Sequence, residues 1–298
     1  CTLAEAQTVT EDMTLDDSHF GSPSLVASEV DAYADPQVPG SWALHAYFTQ
    51  APETAWIETL RGLVPSATGV ALNAELLPDE DWVTLSQAGL EPIRAGRFHV
   101  HTPEMPASDE PGVRSFEIPA SLAFGTGHHN TTRGCLMMLD SMQAAGLRVT
   151  NHIDIGTGTG LLAFAAMHLW PEARAIASDI DPVCGPAVEH NAAANGLAIG
   201  DQPGELAMVI AEGLEDARLQ ARAPYDLVIA NILAGPLIDL SGDVAAVTAP
   251  GGHAVLSGLL GTQAEAVAGA YREQGFALEE RLDLGDWTVL RLCKSGVA

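Results

Sequence analysis

One stretch does most to limit what this chain can fold into: His152-Ile-Asp-Ile-Gly156-Thr-Gly158-Thr-Gly160, followed by Leu-Leu-Ala-Phe-Ala-Ala-Met. A short apolar strand runs straight into a glycine-rich turn and then into a helix. Glycines let the backbone turn tightly and approach a ligand, while free amides at a helix start favour a carboxylate or phosphate. The spacing is G-x-G-x-G, because Leu161 stands where a dinucleotide fingerprint has its last glycine. That points away from a dinucleotide and towards an adenosylmethionine turn. A tight strand-to-helix turn that holds no ligand is the plain alternative.

The residues around this stretch repeat its logic. Strands are expected at 152–155, 175–179, 206–211, 227–230, 254–258 and 288–292, with helices between them at 160–169 and 182–195. Such alternation predicts an α/β fold with a mostly parallel sheet covered on both faces. The second strand ends in Ser178-Asp179-Ile180-Asp181-Pro182. An acidic side chain there suits the hydroxyls of a nucleoside ribose, a role that fits Asp179. Asp181 precedes a proline and is read either the same way or as the cap of the next helix. The fourth strand closes with Tyr225-Asp-Leu-Val-Ile-Ala-Asn231-Ile-Leu-Ala-Gly-Pro236. Asn231 offers donors and an acceptor at the sheet edge where open α/β folds bind ligands. It can hold a cofactor, an incoming amine or both, or simply satisfy loop backbone. A fourth segment, Leu122-Ala-Phe-Gly125-Thr-Gly127-His128-His129-Asn130-Thr131-Thr132, has the content of a mobile flap that supplies hydroxyls and amides. Its adjacent histidines have no carboxylate or cysteine close by, so no metal site is expected. His99, His101, His168, His190 and His253 are scattered and read as ordinary residues.

Before residue 78 the pattern is different. A strand is expected at 41–48, a helix at 52–63 ended by Pro65, a further strand at 69–74, with a weaker helix at 3–15 and strand at 25–33. This is a small α+β module with no ligand-like cluster, and docking is its natural use. Residues 78–115 mix acidic, proline and glycine residues around a short helix at 81–88 and a strand at 97–101, which suggests a linker and entry segment. The expected domains are therefore 1–77, 78–115 and 116–298.

Composition restricts partners. There are 39 acidic against 13 basic residues, a formal net charge of −26, and Lys294 is the sole lysine. Up to residue 60 there are ten acidic residues and no lysine or arginine. Such a surface repels phosphate backbones, so direct nucleic-acid binding is not expected, and it attracts basic proteins. An acid-rich, lysine-poor adaptation to a salty cytoplasm or a GC-rich genome accounts for the charge equally well. No apolar run approaches the ~18 residues of a membrane span, and no signal-peptide layout opens the chain. The cysteines Cys1, Cys135, Cys184 and Cys293 are far apart and read as reduced thiols of a cytoplasmic protein. The chain opens at Cys1 rather than methionine, which places the native start upstream.

Taken together, the flap, Asp154 to Gly160, Asp179-Ile-Asp-Pro182 and Asn231-Ile-Leu-Ala resemble the PrmA family, the methyltransferases of large-subunit ribosomal protein eleven. Asp81-Trp82, Pro92-Ile-Arg-Ala-Gly96-Arg97 and Leu256-Ser-Gly258 extend the likeness from about residue 78 to the C-terminus, and the first 75 residues match in outline. The resemblance implies a Rossmann-like class I methyltransferase domain with a seven-stranded, mostly parallel sheet, preceded by a small N-terminal ferredoxin-like domain that docks the substrate protein. It implies S-adenosylmethionine as cofactor, with contacts at Thr132, Gly156, Gly158, Gly160, Asp179 and Asn231, the last beside the methyl group and catalytic. It implies transfer to lysine side-chain and N-terminal amines of that ribosomal protein by a monomer. Two segments depart from the family pattern. Gly127-His128-His129-Asn130-Thr131-Thr132 replaces G-T-H-P-T-T, and Glu117-Ile-Pro-Ala replaces a segment with Asp-Pro-Gly. Two other functions keep the motifs: methylation of another protein or small-molecule amine, and non-catalytic binding of adenosylmethionine during ribosome assembly. A nucleic-acid amine methyltransferase would want N-P-P-[YF] after the fourth strand, where this chain has Asn231-Ile-Leu.

Overall fold

The computed structural model describes residues 92–119 and 129–296, and two strands near the start, β1 (Glu29–Ala34) and β2 (Trp42–Tyr47). The segments expected at 3–15, 52–63, 69–74 and 81–88, and the flap residues 122–128, lie outside the described residues. The chain divides into two compact units, Cys1–Asp79 and Glu80–Ala298. In the first, β1 and β2 pair antiparallel, from Glu29 opposite Tyr47 to Ala34 opposite Trp42.

The second unit opens with β3 (Ile93–Ala95), β4 (Phe98–His101) and β5 (Arg114–Glu117), which form a three-stranded sheet. Residues 93–115, read from sequence as linker and entry, are thus built into this unit: Phe98 and Phe116 stack at 6.0 Å between ring centres and are fully buried. Then follow α1 (His129–Ala144), β6 (Asn151–Ile155), α2 (Leu161–Leu169), β7 (Arg174–Asp179), α3 (Cys184–Ala194), β8 (Ala198–Ile199) and β9 (Glu205–Ile210). The remainder is α4 (Ala217–Arg222), β10 (Tyr225–Asn231), α5 (Ala234–Asp239), α6 (Ser241–Val247), β11 (Thr248–Leu260), α7 (Ala264–Glu273), β12 (Phe276–Leu284) and β13 (Trp287–Lys294).

The main sheet runs β12-β13-β11-β10-β6-β7-β9-β8. Pairs from β11 to β8 are parallel, and β13 joins β11 and β12 antiparallel. It has eight strands, not seven; the additional one is two exposed edge residues, Ala198 and Ile199, too short to leave an apolar pattern in the sequence. β12 also goes unread in sequence. Its Glu279, Glu280, Arg281 and Asp283 are the charges with which an exposed edge strand avoids pairing with other chains.

Alternation along the central strands feeds two cores. Leu227 and Ile229 of β10 face the side covered by α1, α2, α3 and the small sheet. Val228 and Ala230 face the side covered by α4 to α7. Burial on both faces is why these strands read as near-continuous apolar runs. The helix α2 is apolar all round because it is enclosed; only His168 among its residues is exposed.

His152, on β6, is fully buried, and among the described residues neither ring nitrogen has a hydrogen-bond partner. Burial, reinforced by the Arg222 guanidinium, pushes its pKa down to about 4. The unfolded chain therefore takes up a proton between about pH 6.5 and pH 4 that the folded chain refuses, and stability falls as pH falls through that window. His152→Leu should lose this dependence. Its stability relative to the parent should rise by about 3 kcal/mol between pH 7 and pH 4 in denaturant titrations, and a constant difference would contradict the buried neutral imidazole.

Candidate functional site

The carboxyl ends of β6, β7, β9 and β10 meet on one edge of the sheet, and between β6 and β10 the strand order reverses, which makes a crevice there. The turn after β6 holds Gly156, Gly158 and Gly160 at φ of 67°, 56° and 87°, a left-handed run that side chains resist. At Gly160 a Cβ would also stand 2.6 Å from the Phe164 ring. The amides of Gly156 and Thr157 donate to the Ser178 carbonyl at 2.8 and 3.0 Å, and that of Gly160 to the Thr157 carbonyl at 3.0 Å. These amides are taken by the protein itself, which ties the turn to the end of β7.

Asp179 closes β7 and holds the turn from the side. One carboxylate oxygen accepts from the Gly158 amide at 2.8 Å, the other from the Asp181 amide at 3.1 Å. The Cys184 thiol also bonds this carboxylate, and the acceptor capacity that remains leaves Asp179 able to accept from ligand hydroxyls. Asp181 accepts from the Val183 amide at 3.0 Å and so serves the entry to α3, the second of its two readings.

Two side chains outside the glycines support the turn, and an apolar rim flanks it. Asp154 is buried and accepts from the Thr157 hydroxyl at 2.6 Å and the Ala163 amide at 3.1 Å. Burial raises its pKa to about 7, against the pull of those two bonds. Asn191 of α3 donates to the Thr159 carbonyl at 2.9 Å. Ile180, Val183, Ile210 and Leu233 are exposed apolar residues at or just beyond the ends of β7, β9 and β10. An apolar residue next to an acidic strand end was the available clue for Ile180.

Asn231 ends β10 opposite Ser257 of β11. Its Oδ1 is buried and has no hydrogen-bond partner among the described residues. A buried acceptor left open costs free energy unless something donates to it, so this atom marks a place for a donor. Thr132 is buried in the first turn of α1. No hydrogen bond among the described residues joins it to the glycine turn or to Asn231. Cys135, one turn further along α1, bonds Ser257, and burial pushes its thiol up to about 12. The structure thus brings together Gly156, Gly158, Gly160 and Asp179, sets Asn231 across the crevice from them, and places α1 against the strand that carries Asn231's partner.

The family model described as ribosomal protein L11 methyltransferase (PrmA) matches residues 5–295. The chain belongs to this family. A ribosomal protein L11 methyltransferase of Agrobacterium fabrum is 35% identical over 287 residues, 95% of this chain and 94% of the relative. One from Brucella suis is 41% identical over 236 residues, 79% of this chain and 80% of the relative. The crystal structure of a ribosomal protein L11 methylase from Lactobacillus delbrueckii subsp. bulgaricus is 25% identical and superposes with a TM-score of 0.59, covering 69% of this chain and 100% of that one.

This PrmA-family chain also carries a cluster of metal-ligating residue types away from the crevice. His253, Glu279 and Cys293 place donor atoms within 4.8 Å of one another on three neighbouring strands. Glu279 Oε2, however, lies 3.2 Å from His253 Nε2 and 3.3 Å from Arg291 Nε. A guanidinium beside the one carboxylate repels a cation and already neutralises it, so the cluster reads as an ion-pair network. Among the described residues no helix is long and apolar enough to cross a membrane.

Proposed function

We propose that this chain transfers methyl groups from S-adenosylmethionine to lysine side-chain and N-terminal amines of ribosomal protein L11. The observation that carries the chemistry is the open, buried Oδ1 of Asn231 across the crevice from the glycine turn. The residues present suit the cofactor. The left-handed turn admits close approach of its methionine end, Asp179 retains lone pairs for ribose hydroxyls, and the apolar rim of Ile180 and Ile210 suits a purine. We assign Thr132, Gly156, Gly158, Gly160, Asp179 and Asn231 to the cofactor site.

When bound, S-adenosylmethionine supplies a methyl group already activated by its sulfonium, so the protein's task is alignment. Asn231 Oδ1 accepts an N–H of the incoming amine and turns its lone pair towards the methyl group. The amine must be neutral. For lysine, proton loss at pH 7 costs about 4–5 kcal/mol, and for an α-amine about 1 kcal/mol. The exposed Leu233 and Ile180 beside the site disfavour the charged ammonium by removing water from it. The net charge of −26 acts earlier, by drawing a basic ribosomal protein towards the surface. We further propose that residues 1–77 dock the substrate and that the enzyme works as a cytoplasmic monomer, without direct contact to nucleic acid.

The test is to incubate the chain with labelled S-adenosylmethionine and recombinant L11, then locate methyl groups by intact-mass and peptide analysis. Methylated lysine or α-amine establishes donor and acceptor together; label only in other proteins overturns the acceptor, and no label anywhere overturns catalysis. Asp179→Ala should weaken S-adenosylhomocysteine binding by roughly 10–100-fold in calorimetry, since it removes the ribose acceptor and frees the Gly158 and Asp181 amides. Unchanged affinity would take Asp179 out of the cofactor site.

A further inference from the structure

One residue at the crevice between β6 and β10 approaches both the turn after β6 and the strand β11. Ile232 is the first residue beyond β10, directly after Asn231. Its Cγ2 fills the place where Gly156, at φ 67°, has no Cβ. Its backbone fills the place where Gly258, at φ 85°, has none: a Cβ there would stand 2.7 Å from the Ile232 carbonyl carbon and 2.9 Å from its amide nitrogen. Ile232 is therefore held between the turn after β6 and the strand β11, each of which has dispensed with a side chain to admit it. The β11 ladder shifts register between Leu256 and Leu259, at this same point.

We propose that Ile232 is a positioning residue that fixes the Asn231 carboxamide relative to the glycine turn, and so sets where the acceptor amine stands relative to the methyl group. This rests on the role given to Asn231 above. Among the described residues nothing hydrogen-bonds Asn231 Oδ1 to orient it, so its aim depends on how the backbone at 231–232 is packed. The ladder to Ser257 fixes one side of that backbone, and Ile232 is what fixes the other. Reacting groups tolerate little displacement, since about 1 Å costs on the order of 100-fold in rate.

The experiment is a double-mutant cycle on the full chain with Gly156→Ala and Ile232→Ala, with Ile232→Val as the conservative variant. Turnover and KM for L11, calorimetric affinity for S-adenosylhomocysteine, and unfolding in denaturant are measured on each protein. Ile232→Ala removes Cγ2 and should lower kcat roughly 10-fold or more while cofactor affinity changes less than about threefold. Ile232→Val keeps Cγ2 and should recover most of that turnover. Gly156→Ala drives a Cβ into Cγ2 and should be at least about fivefold less harmful where Ile232 is already alanine. A kcat within twofold of the parent for Ile232→Ala overturns the positioning role. Effects on stability that simply add overturn the packing itself. A parent chain that methylates nothing overturns the underlying reading of Asn231, and the stability cycle still reports the packing in that case.

Discussion

Asn231→Ala is expected to lower methyl transfer by about 100- to 1,000-fold, the range seen when one preorganised polar group is removed from a reacting centre. The same substitution should leave the thermal transition within about 3 °C of the parent's. The two expectations have one cause. Asn231 Oδ1 has no hydrogen-bond partner among the described residues, so truncation breaks no hydrogen bond there and removes a buried acceptor whose burial is unfavourable. What is lost is the group that meets the amine. Asn231→Asp separates orientation from charge: it keeps an acceptor in place but adds a negative charge beside the amine, which favours the ammonium form. Its turnover should therefore be low at neutral pH and recover as pH rises, giving a profile displaced to higher pH. A flat loss of rate at every pH for Asn231→Asp would mean that the carboxamide's donors, and not its acceptor, serve the reaction.

The parts of the fold that were legible in the sequence are those where one physical demand dominates. Burial on both faces leaves continuous apolar runs, so β6, β7, β9 and β10 were found within a residue or two, and left-handed backbone demands glycine, so 156, 158 and 160 stood out. Asp179 stands out because it ends β7, at the sheet edge where open α/β folds bind ligands. β12 was missed because an edge strand's charges hide its period, and β8 because two residues have none. The supports of the site were illegible for a different reason. Asn191 and Ile232 act on residues 32 and, at Gly156, 76 positions away in the chain, and such pairings exist only once the sheet has formed. The docking segment and the flap before Thr132 were read from pattern and resemblance, and their assignment stays with the proposed function. Asn231 lies between these cases: its position was readable, but its open acceptor was not.

Gly258→Ala should be strongly damaging, with a stability loss on the order of 2–5 kcal/mol by denaturant titration and turnover reduced with it. Two costs combine. Alanine at φ 85° meets a penalty of about 1–2 kcal/mol for left-handed backbone. The added Cβ also overlaps the oxygen, carbon and nitrogen of Ile232, in a strand whose neighbours β10 and β13 hold it on both sides. Overpacking of a tight interior adds a further 1–3 kcal/mol. The contrast with Gly156 is diagnostic. At Gly156 the obstacle is a methyl group, which Ile232→Ala takes away; at Gly258 it is main chain, which no side-chain substitution at 232 removes. Ile232→Ala should therefore soften Gly156→Ala and leave the cost of Gly258→Ala unchanged. If the parent and Gly258→Ala differ by less than about 1 kcal/mol, the two backbones do not approach as closely as this, and β11 does not set the position of the Asn231 turn.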